Sequence, residues 1–366
     1  QNSNFEKNHV SKSDTTWLYT TYRLYYWQEG EYKPWPTFSR YEYSEPLIPN
    51  KPSSILSIDS FTGDTVVLSK NTYDSSNRIV RQILSDSFNN DSILQKKEQW
   101  FYWYDEYGND TLALRQTWSK QNNTWKNKNR YKSKFNDRNF LVEDITQEWL
   151  STGDYWKTVG GDKYHYIYNE SGCPDSLIWE EWDAYKKGWD NNIIQFWEYD
   201  ENNIPTEYTF QIWDTYSNKF VNYQRFYNLA YYNWPGCEAL DHLYNPDFLQ
   251  LNQQNWNTQL NQWQDVTELT CNYYEFGSYG FLLKRFENEW VNSERRDFKF
   301  WPDGRALCKS KEVWKNDHWT LESADTSMYI FDNERVHEIY MNMADTSDNN
   351  KWIPFRKFVF EDYIGF

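Results

Sequence analysis

The sequence predicts an all-β fold: an antiparallel repeat of about eight two-stranded hairpins, with a period near 31 residues, forming a long curved or spiral sheet. Three observations predict it. An aromatic-Asx turn recurs at nearly constant spacing, an aromatic pair brackets a polar loop between those turns, and the joining segments alternate with a period of two.

The turns come first. Tyr73-Asp-Ser-Ser-Asn, Tyr104-Asp-Glu-Tyr-Gly, Phe135-Asn-Asp-Arg-Asn, Tyr168-Asn-Glu-Ser-Gly, Tyr199-Asp-Glu-Asn-Asn and Tyr232-Asn-Trp-Pro-Gly follow one another at 31 to 33 residues. Trp301-Pro-Asp-Gly-Arg and Phe331-Asp-Asn-Glu-Arg continue the series. Asp and Asn bond their own downstream backbone, and Gly or Asn accepts the left-handed backbone a tight reversal needs.

The brackets are Trp118…Trp125, Trp149…Trp156, Trp182…Trp189, Trp213…Phe220 and Trp256…Trp263, with shortened versions at Phe286…Trp290 and Trp314…Trp319. Each long bracket encloses six mostly turn-forming residues. Two aromatics flanking such a loop can face each other across a hairpin and fix its register. Between landmarks, Glu207–Trp213 alternates cleanly, whereas Ile193–Tyr199 has apolar residues on both faces. Roughly sixteen strands result, more than an open sheet carries without curling. The exposed end strands of such a ribbon would be free to pair with further copies or partners.

Residues 1–15 read as a flexible N-terminus and 16–72 as a strand-rich N-terminal cap, in which Trp27…Trp35 resembles a bracket. Residues 73–366 are hairpin repeats, with an insertion at 233–255 that has no counterpart in other units.

Composition bounds the function. Of the residues 39% are hydrophobic and 20% aromatic, with 22 Trp, 31 Tyr and 22 Phe, so rings replace an aliphatic core. The net charge of −16 repels phosphate backbones, which argues against a nucleic-acid partner. No apolar run is long enough for a membrane-spanning helix. Gln1 in place of an initiating Met reads as the end left by signal-peptide removal, which implies an extracellular or cell-surface location. The four cysteines, Cys173, Cys237, Cys271 and Cys308, show no CxxC pair. They admit either a Cys237–Cys271 bridge across the insertion or four separate thiols.

At this point the aromatic-Asp-x-x-Gly/Asn turns resemble the YD repeat family, the two-strand units of Rhs-type and teneurin-like shells, over about 73–366. The Trp-bracketed loops, followed by strings such as PheValAsnTyrGlnArgPheTyr, resemble aromatic-rich repeats of secreted Bacteroidota surface proteins, which implies a type IX secretion route. The same resemblance implies O-glycosylation at Asp-Ser/Thr-aliphatic sequences, with Thr65, Ser92, Thr111 and Ser176 as acceptors; ordinary turn chemistry is the competing reading.

Catalytic signals are sparse. His9, His165, His242, His318 and His337 are scattered, without metal-ligand spacing. Glu180 and Glu181 are strand neighbours and point to opposite faces, so they cannot flank one glycosidic bond. Asp241, His242, Tyr244 and Asp247 in the insertion are the one grouping that breaks the repeat. The expectation is therefore no enzyme, no metal and no cofactor, with calcium at Asp105…Asn109-Asp110 outweighed by a solvated turn.

Two functions remain. One is a structural or interaction protein of an envelope assembly, adhesin or fibre, with other envelope proteins or copies of itself as partners. The alternative is glycan binding, with Trp118, Trp125, Trp149, Trp156, Trp182, Trp189, Trp213, Trp256 and Trp263 as stacking platforms.

Overall fold

The computed structural model describes residues 17–43, 51–87, 94–231, 236, 248–274, 277–286, 289–300, 305–332, 335–345 and 351–365. The first strands are β1 (Trp17–Gln28), β2 (Glu31–Pro34), β3 (Thr37–Glu42), β4 (Ser54–Asp59) and β5 (Thr65–Tyr73). Next come β6 (Ile79–Ser87), β7 (Leu94–Tyr104), β8 (Asp110–Ser119), β9 (Thr124–Phe135), β10 (Leu141–Leu150) and β11 (Tyr155–Tyr168). The middle holds β12 (Pro174–Asp183), β13 (Gly188–Tyr199), β14 (Pro205–Asp214), β15 (Lys219–Tyr231), β16 (Phe248–Asn257) and β17 (Gln262–Tyr274). The last are β18 (Gly277–Phe286), β19 (Glu289–Phe300), β20 (Ala306–Lys315), β21 (His318–Asp332), β22 (Arg335–Asp345) and β23 (Lys351–Gly365). By contact the chain forms two compact units: residues 1–97, 328–340 and 355–366 in one, 98–327 and 341–354 in the other.

Each hairpin is built by the same local chemistry. In the aromatic-Asx turns Asp74, Asp105, Asn136 and Asp200 accept two backbone N–H groups on one side-chain oxygen, from the residues two and four positions on. The residue three positions on has positive φ: Asn77 (61°), Gly108 (93°), Asn139 (68°) and Asn203 (59°). Only residues that tolerate left-handed backbone serve there. The bracketed tips use a second left-handed position, at Asn123, Asp154, Lys187, Asn218 and Asn261, with φ between 50° and 56°.

Bulges recur at a fixed place. In successive hairpins the register slips between Arg115/Gln116, Thr146/Gln147, Trp179/Glu180, Phe210/Gln211 and Gln253/Gln254. The extra residue, Asn192 in β13 for example, moves the rest of its strand to the other face. Within Ile193–Glu198 the strand keeps one period, with Ile193, Gln195 and Trp197 on the core face and Ile194, Phe196 and Glu198 on the other, so apolar residues serve both faces.

The expected open curved or spiral sheet is overturned, although the all-β antiparallel class stands. All 23 strands belong to one sheet, and β1 pairs antiparallel with β23 from Trp17↔Gly365 to Tyr26↔Arg356. The ladder therefore returns on itself as a closed antiparallel barrel. On its other side β1 pairs with β2 at Tyr25–Gln28 and with β3 at Thr21 and Tyr22, so these two strands share one stave. Closure satisfies the end strands, and pairing with further copies through a free edge, the route expected of an open ribbon, is lost. Among the described residues the strand number exceeds sixteen because the repeats from residue 79 onward give eighteen strands and residues 17–73 add five to the same sheet. Within them Trp35 packs edge-on against Tyr26, at 5.8 Å between centroids. The insertion at 233–255 lies mostly outside the described residues, which resume at Phe248 in β16.

In the second unit the core is an aromatic cluster of Tyr164, Leu177, Trp197 and Tyr208, with Trp179, Tyr199, Phe210 and Phe226 packed around it. The register places these residues on one face of β11–β15. Burial raises the Tyr164 hydroxyl to about 12, helped by the nearby Asp162 and Asp144 carboxylates. Those two carboxylates stand directly opposite each other on β10 and β11. Asp162 accepts a hydrogen bond from Trp179 Nε1 at 2.8 Å. Burial, and then its neighbour Asp162, raises the Asp144 pKa.

Two predictions follow the signs of these shifts. Hydrogen bonds from backbone N–H groups lower the carboxyl pKa of Asp74 and Asp183, and bonds from the Asn109 side chain and backbone lower that of Asp105. A depressed folded-state value gives stability that is present above the unfolded value of about 3.9 and is lost as pH falls through the folded one. Asp74→Asn, Asp105→Asn and Asp183→Asn together should flatten the acid limb of a plot of Tm against pH, because Asn136 makes the same turn without charge. Asp144 has the opposite sign. Its raised folded-state value makes the ionised form unfavourable, so Asp144→Asn should stabilise the protein at pH 7 by about 0.2–1 kcal/mol, the scale of a cross-strand pair. Denaturant titration at pH 7 and pH 3 checks this, with the gain expected to fade at the lower pH.

Candidate functional site

The bracket aromatics meet as the loops between them dictate. Trp118 lies opposite Trp125, Trp149 opposite Trp156, Trp182 opposite Trp189, Trp213 opposite Phe220 and Trp256 opposite Trp263. The ring centroids are 5.0, 5.0, 5.3, 5.0 and 5.1 Å apart, and the planes cross at 65–76°. Trp314 and Trp319 repeat the arrangement at 5.2 Å, whereas Trp290 stands opposite Arg285, not Phe286. The edge-to-face geometry sets the positive rim of one ring against the negative face of the other. All nine expected platform residues are half-buried.

These rings lie on the face opposite the aromatic core. Trp182 is three residues from the core residue Trp179 on an unbulged strand, so their side chains point to opposite sides. On that face four hairpins receive a cation from the strand before them. Arg130 sits 4.6 Å from the Trp156 ring centroid, Lys163 4.5 Å from Trp189, Arg225 5.1 Å from Trp263 and Arg295 4.8 Å from Trp319.

Three of the four cations also bond the residue two positions before the first bracket Trp of the hairpin they reach. Arg130 Nε donates to Gln147 Oε1 at 2.6 Å, Arg225 Nε to Gln254 Oε1 at 2.5 Å, and Arg295 Nη2 to Glu312 Oε1 at 2.8 Å. Gln254 passes the network on to Asp265 at 2.7 Å, which also accepts from the Tyr227 hydroxyl at 2.8 Å. Burial first, and then the bond to Asp265, raises that hydroxyl to about 12. Where the receiving ring is Phe220, the residue five beyond Trp189 is the uncharged Ile194. Indole has the stronger quadrupole and attracts a cation best, which explains the exchange. No signal within one repeat marks these clamps; comparing position five after each second bracket ring would have found Arg130, Arg225 and Arg295.

The tips of the brackets are the exposed part. Tyr185 and Tyr216 occupy the same tip position in adjacent hairpins and are 98% and 100% exposed. Their backbone N–H groups donate to Asp183 and Asp214 Oδ1 at 2.7 and 3.0 Å, so the two loops hold them alike. A groove of about 240 Å³ at these tips is lined by Glu180, Lys186, Trp189, Asp190, Trp213 and Asn218, among others.

The remaining expected sites stand as follows. Cys173 is disulfide-bonded and 2% exposed, whereas Cys271 and Cys308 are thiols outside any disulfide. The expected Cys237–Cys271 bridge is therefore corrected. Cys271 lies within the β17–β18 ladder opposite Gly280, where a Cβ on the glycine would approach its Sγ to 3.4 Å. Cys237 is outside the described residues, as are Asp241, His242, Tyr244, Asp247, His9 and Ser92. Ser176 is only 4% exposed, so a sugar could reach it only before the strand folds. Thr111 sits at a bulge and donates to Trp103 O at 3.1 Å, and Thr65 is half-buried. His165 contacts Glu180 at 2.7 Å, while His318 contacts Asn316 O at 2.9 Å. Asp105 uses its oxygens on Tyr107, Asn109 and its own turn, the solvated-turn arrangement rather than a calcium loop. No group of metal-ligating side chains occurs among the described residues. No helix among them is long and apolar enough to cross a membrane, a criterion that does not address strands.

No family model matches the chain, and no curated protein does. Among solved structures, a DUF3836 family protein from Bacteroides vulgatus aligns at 16% identity and a TM-score of 0.22, over 25% of this chain and 90% of that one. A porin-like protein from Bacteroides uniformis aligns at 8% identity and 0.22, over 95% and 98%. The Photorhabdus luminescens Tc holotoxin pore aligns at 7% identity and 0.26, over 84% of this chain and 16% of that one. None of these likenesses is close enough to carry a function across.

The clamp generates a direct prediction. Arg225→Met removes a cation from Trp263 and leaves Gln254 without its donor. It should cost about 1–2 kcal/mol, the sum of a partly desolvated cation–π contact and a charged hydrogen bond less compensation. Ile194→Val, at the uncharged equivalent position, should cost no more than the usual 0.5–1.5 kcal/mol of a methylene deletion. Urea unfolding of both variants measures the difference.

Proposed function

We propose that this chain is a non-catalytic structural or interaction protein of the cell surface or extracellular envelope. Its partners on this reading are other envelope proteins or copies of itself, in an assembly, adhesin or fibre. The observation that carries the reading is the repeated clamp. Cations from one hairpin cover rings of the next, so the bracket side chains serve cohesion between hairpins rather than a reaction.

Both faces of β9–β12 carry charge well inside the strands. Arg130, Lys132 and Lys163 stand on the bracket face, and Asp144 and Asp162 on the core face. A lipid-facing barrel wall needs an uncharged apolar band about 25 Å tall. A water-exposed scaffold fits these faces better than a membrane-spanning one. The resemblance of the turns to YD repeats, and of the brackets to secreted Bacteroidota repeats, supports the extracellular setting and a type IX route.

Carbohydrate binding is the second reading. The cation cover weighs against Trp156, Trp189 and Trp263 as open platforms. What favours this reading is the pair of fully exposed tyrosines at neighbouring tips.

Light scattering on the full chain over a wide concentration range tests the first reading. Mass that grows reversibly with concentration, unaffected by soluble saccharides, is expected. A chain that stays monomeric throughout and binds a saccharide would transfer the case to the second reading.

A further inference from the structure

We infer that the tips of the β12–β13 and β14–β15 hairpins form a binding site for an uncharged oligosaccharide, with Tyr185 and Tyr216 as stacking platforms for two rings separated by a third, and the groove at the same tips supplying polar contacts. The inference rests on the carbohydrate-binding reading but moves the platform from the bracket rings to the tips.

The tyrosines carry the first part of the argument. At the third position of the five bracketed tips the chain places Gln121, Thr152, Tyr185, Tyr216 and Gln259. The two tyrosines fall on consecutive hairpins, and their tip neighbours Lys186, Thr215 and Asn218 line the groove, which the tyrosines themselves do not. A ring left wholly in water contributes nothing to folding, while each ring can bury about 150–250 Å² against a ligand. Asp183 and Asp214 fix the two loops in one geometry. The rings are therefore presented with little loop entropy left to lose on binding.

Spacing carries the second part. The strands β12, β13, β14 and β15 are consecutive neighbours, so equivalent positions on the two tips lie about two strand spacings apart, ~9–10 Å. In an extended chain of linked pyranoses adjoining ring centres lie closer than this, and rings two apart match it, each offering an apolar face to one tyrosine.

The lining carries the third. Glu180 and Asp190 accept, Lys186 donates, and Asn191 and Asn218 do both, which suits a ligand dense in hydroxyls. Lys186 is already paired with Asp190 and with Asp183 at 3.7 Å. No free cation among the lining residues is left for an acidic sugar, and the chain's charge of −16 repels one. At about 240 Å³ the groove is smaller than pockets for drug-sized ligands, as a one- or two-ring subsite should be.

Isothermal titration of the full chain with cellohexaose, xylohexaose, mannohexaose and N-acetylchitohexaose, with alginate as the acidic counterpart, tests the inference. Saturable binding of at least one neutral hexasaccharide is expected, and none of alginate. The double variant Tyr185→Ala/Tyr216→Ala should lose affinity by about tenfold or more. Its Tm should not move, because both rings are exposed. Gln259→Ala, at a tip without tyrosine, should bind as the parent does. Failure of all four neutral sugars to bind, preference for alginate, or full affinity in the double variant would overturn the inference. Concentration-dependent assembly is read separately by scattering, so either idea can fail without the other.

Discussion

A cation laid across an indole of the neighbouring hairpin is the contact on which the second unit depends. A two-stranded hairpin buries too little to stand alone, and a sheet with few aliphatic side chains cannot rely on a thick core. Here Trp156, Trp189, Trp263 and Trp319 are each engaged twice, edge-to-face with a cross-strand partner and with Arg130, Lys163, Arg225 or Arg295 over the ring. The first contact fixes the register within a hairpin, and the second joins one hairpin to the next. The Gln or Glu that bonds the guanidinium holds the cation over the ring. Cohesion is thus carried by a polar face, while the opposite face holds the cluster around Leu177 and Trp197.

The bulge makes this division workable. Without the extra residue in β9, Arg130 would point to the core side, and its register would not match Gln147 and Trp156. One inserted residue per hairpin brings the cation to the bracket face and leaves tyrosines such as Tyr131 on the other. The same insertion increases local strand twist, which a sheet must have if its first and last strands are to meet.

The turns were the most legible part of the fold. Asp105 and Asn139 announce their roles within five residues, because Asx capping and left-handed backbone are local chemistry. Trp118 and Trp125 were legible as a pair because a loop of fixed length leaves them nowhere else to go. Closure was not. The pairing of residues 17–26 with 356–365 joins opposite ends of the chain, and no local pattern in β1 marks β23 as its partner. The alternation of β13 was misleading for a related reason, since Asn192 gives no sign that it is extra. Cys271 looked like a bridge from its place beside the insertion, yet it sits in a ladder facing Gly280 and outside any disulfide. The candidate site was half legible: the tryptophans stood out by type, while the cations that cover them became visible only through register.

Closure and the clamps together direct attention to the tips. A closed ladder offers no strand to a partner, and the strand faces of the second unit are occupied by ion pairs, amide bonds and stacked rings. The hairpin loops are what such a scaffold can vary without loss, since the five bracketed tips share one left-handed residue and only three of them an Asx cap. Among them Tyr185 and Tyr216 depart from the polar residues at the same position elsewhere, and they do so on adjacent tips whose other residues line a groove. A side chain that folding does not require, repeated on two adjacent loops with the same Asp cap, is where recognition is best sought in a fold whose other aromatics hold it together.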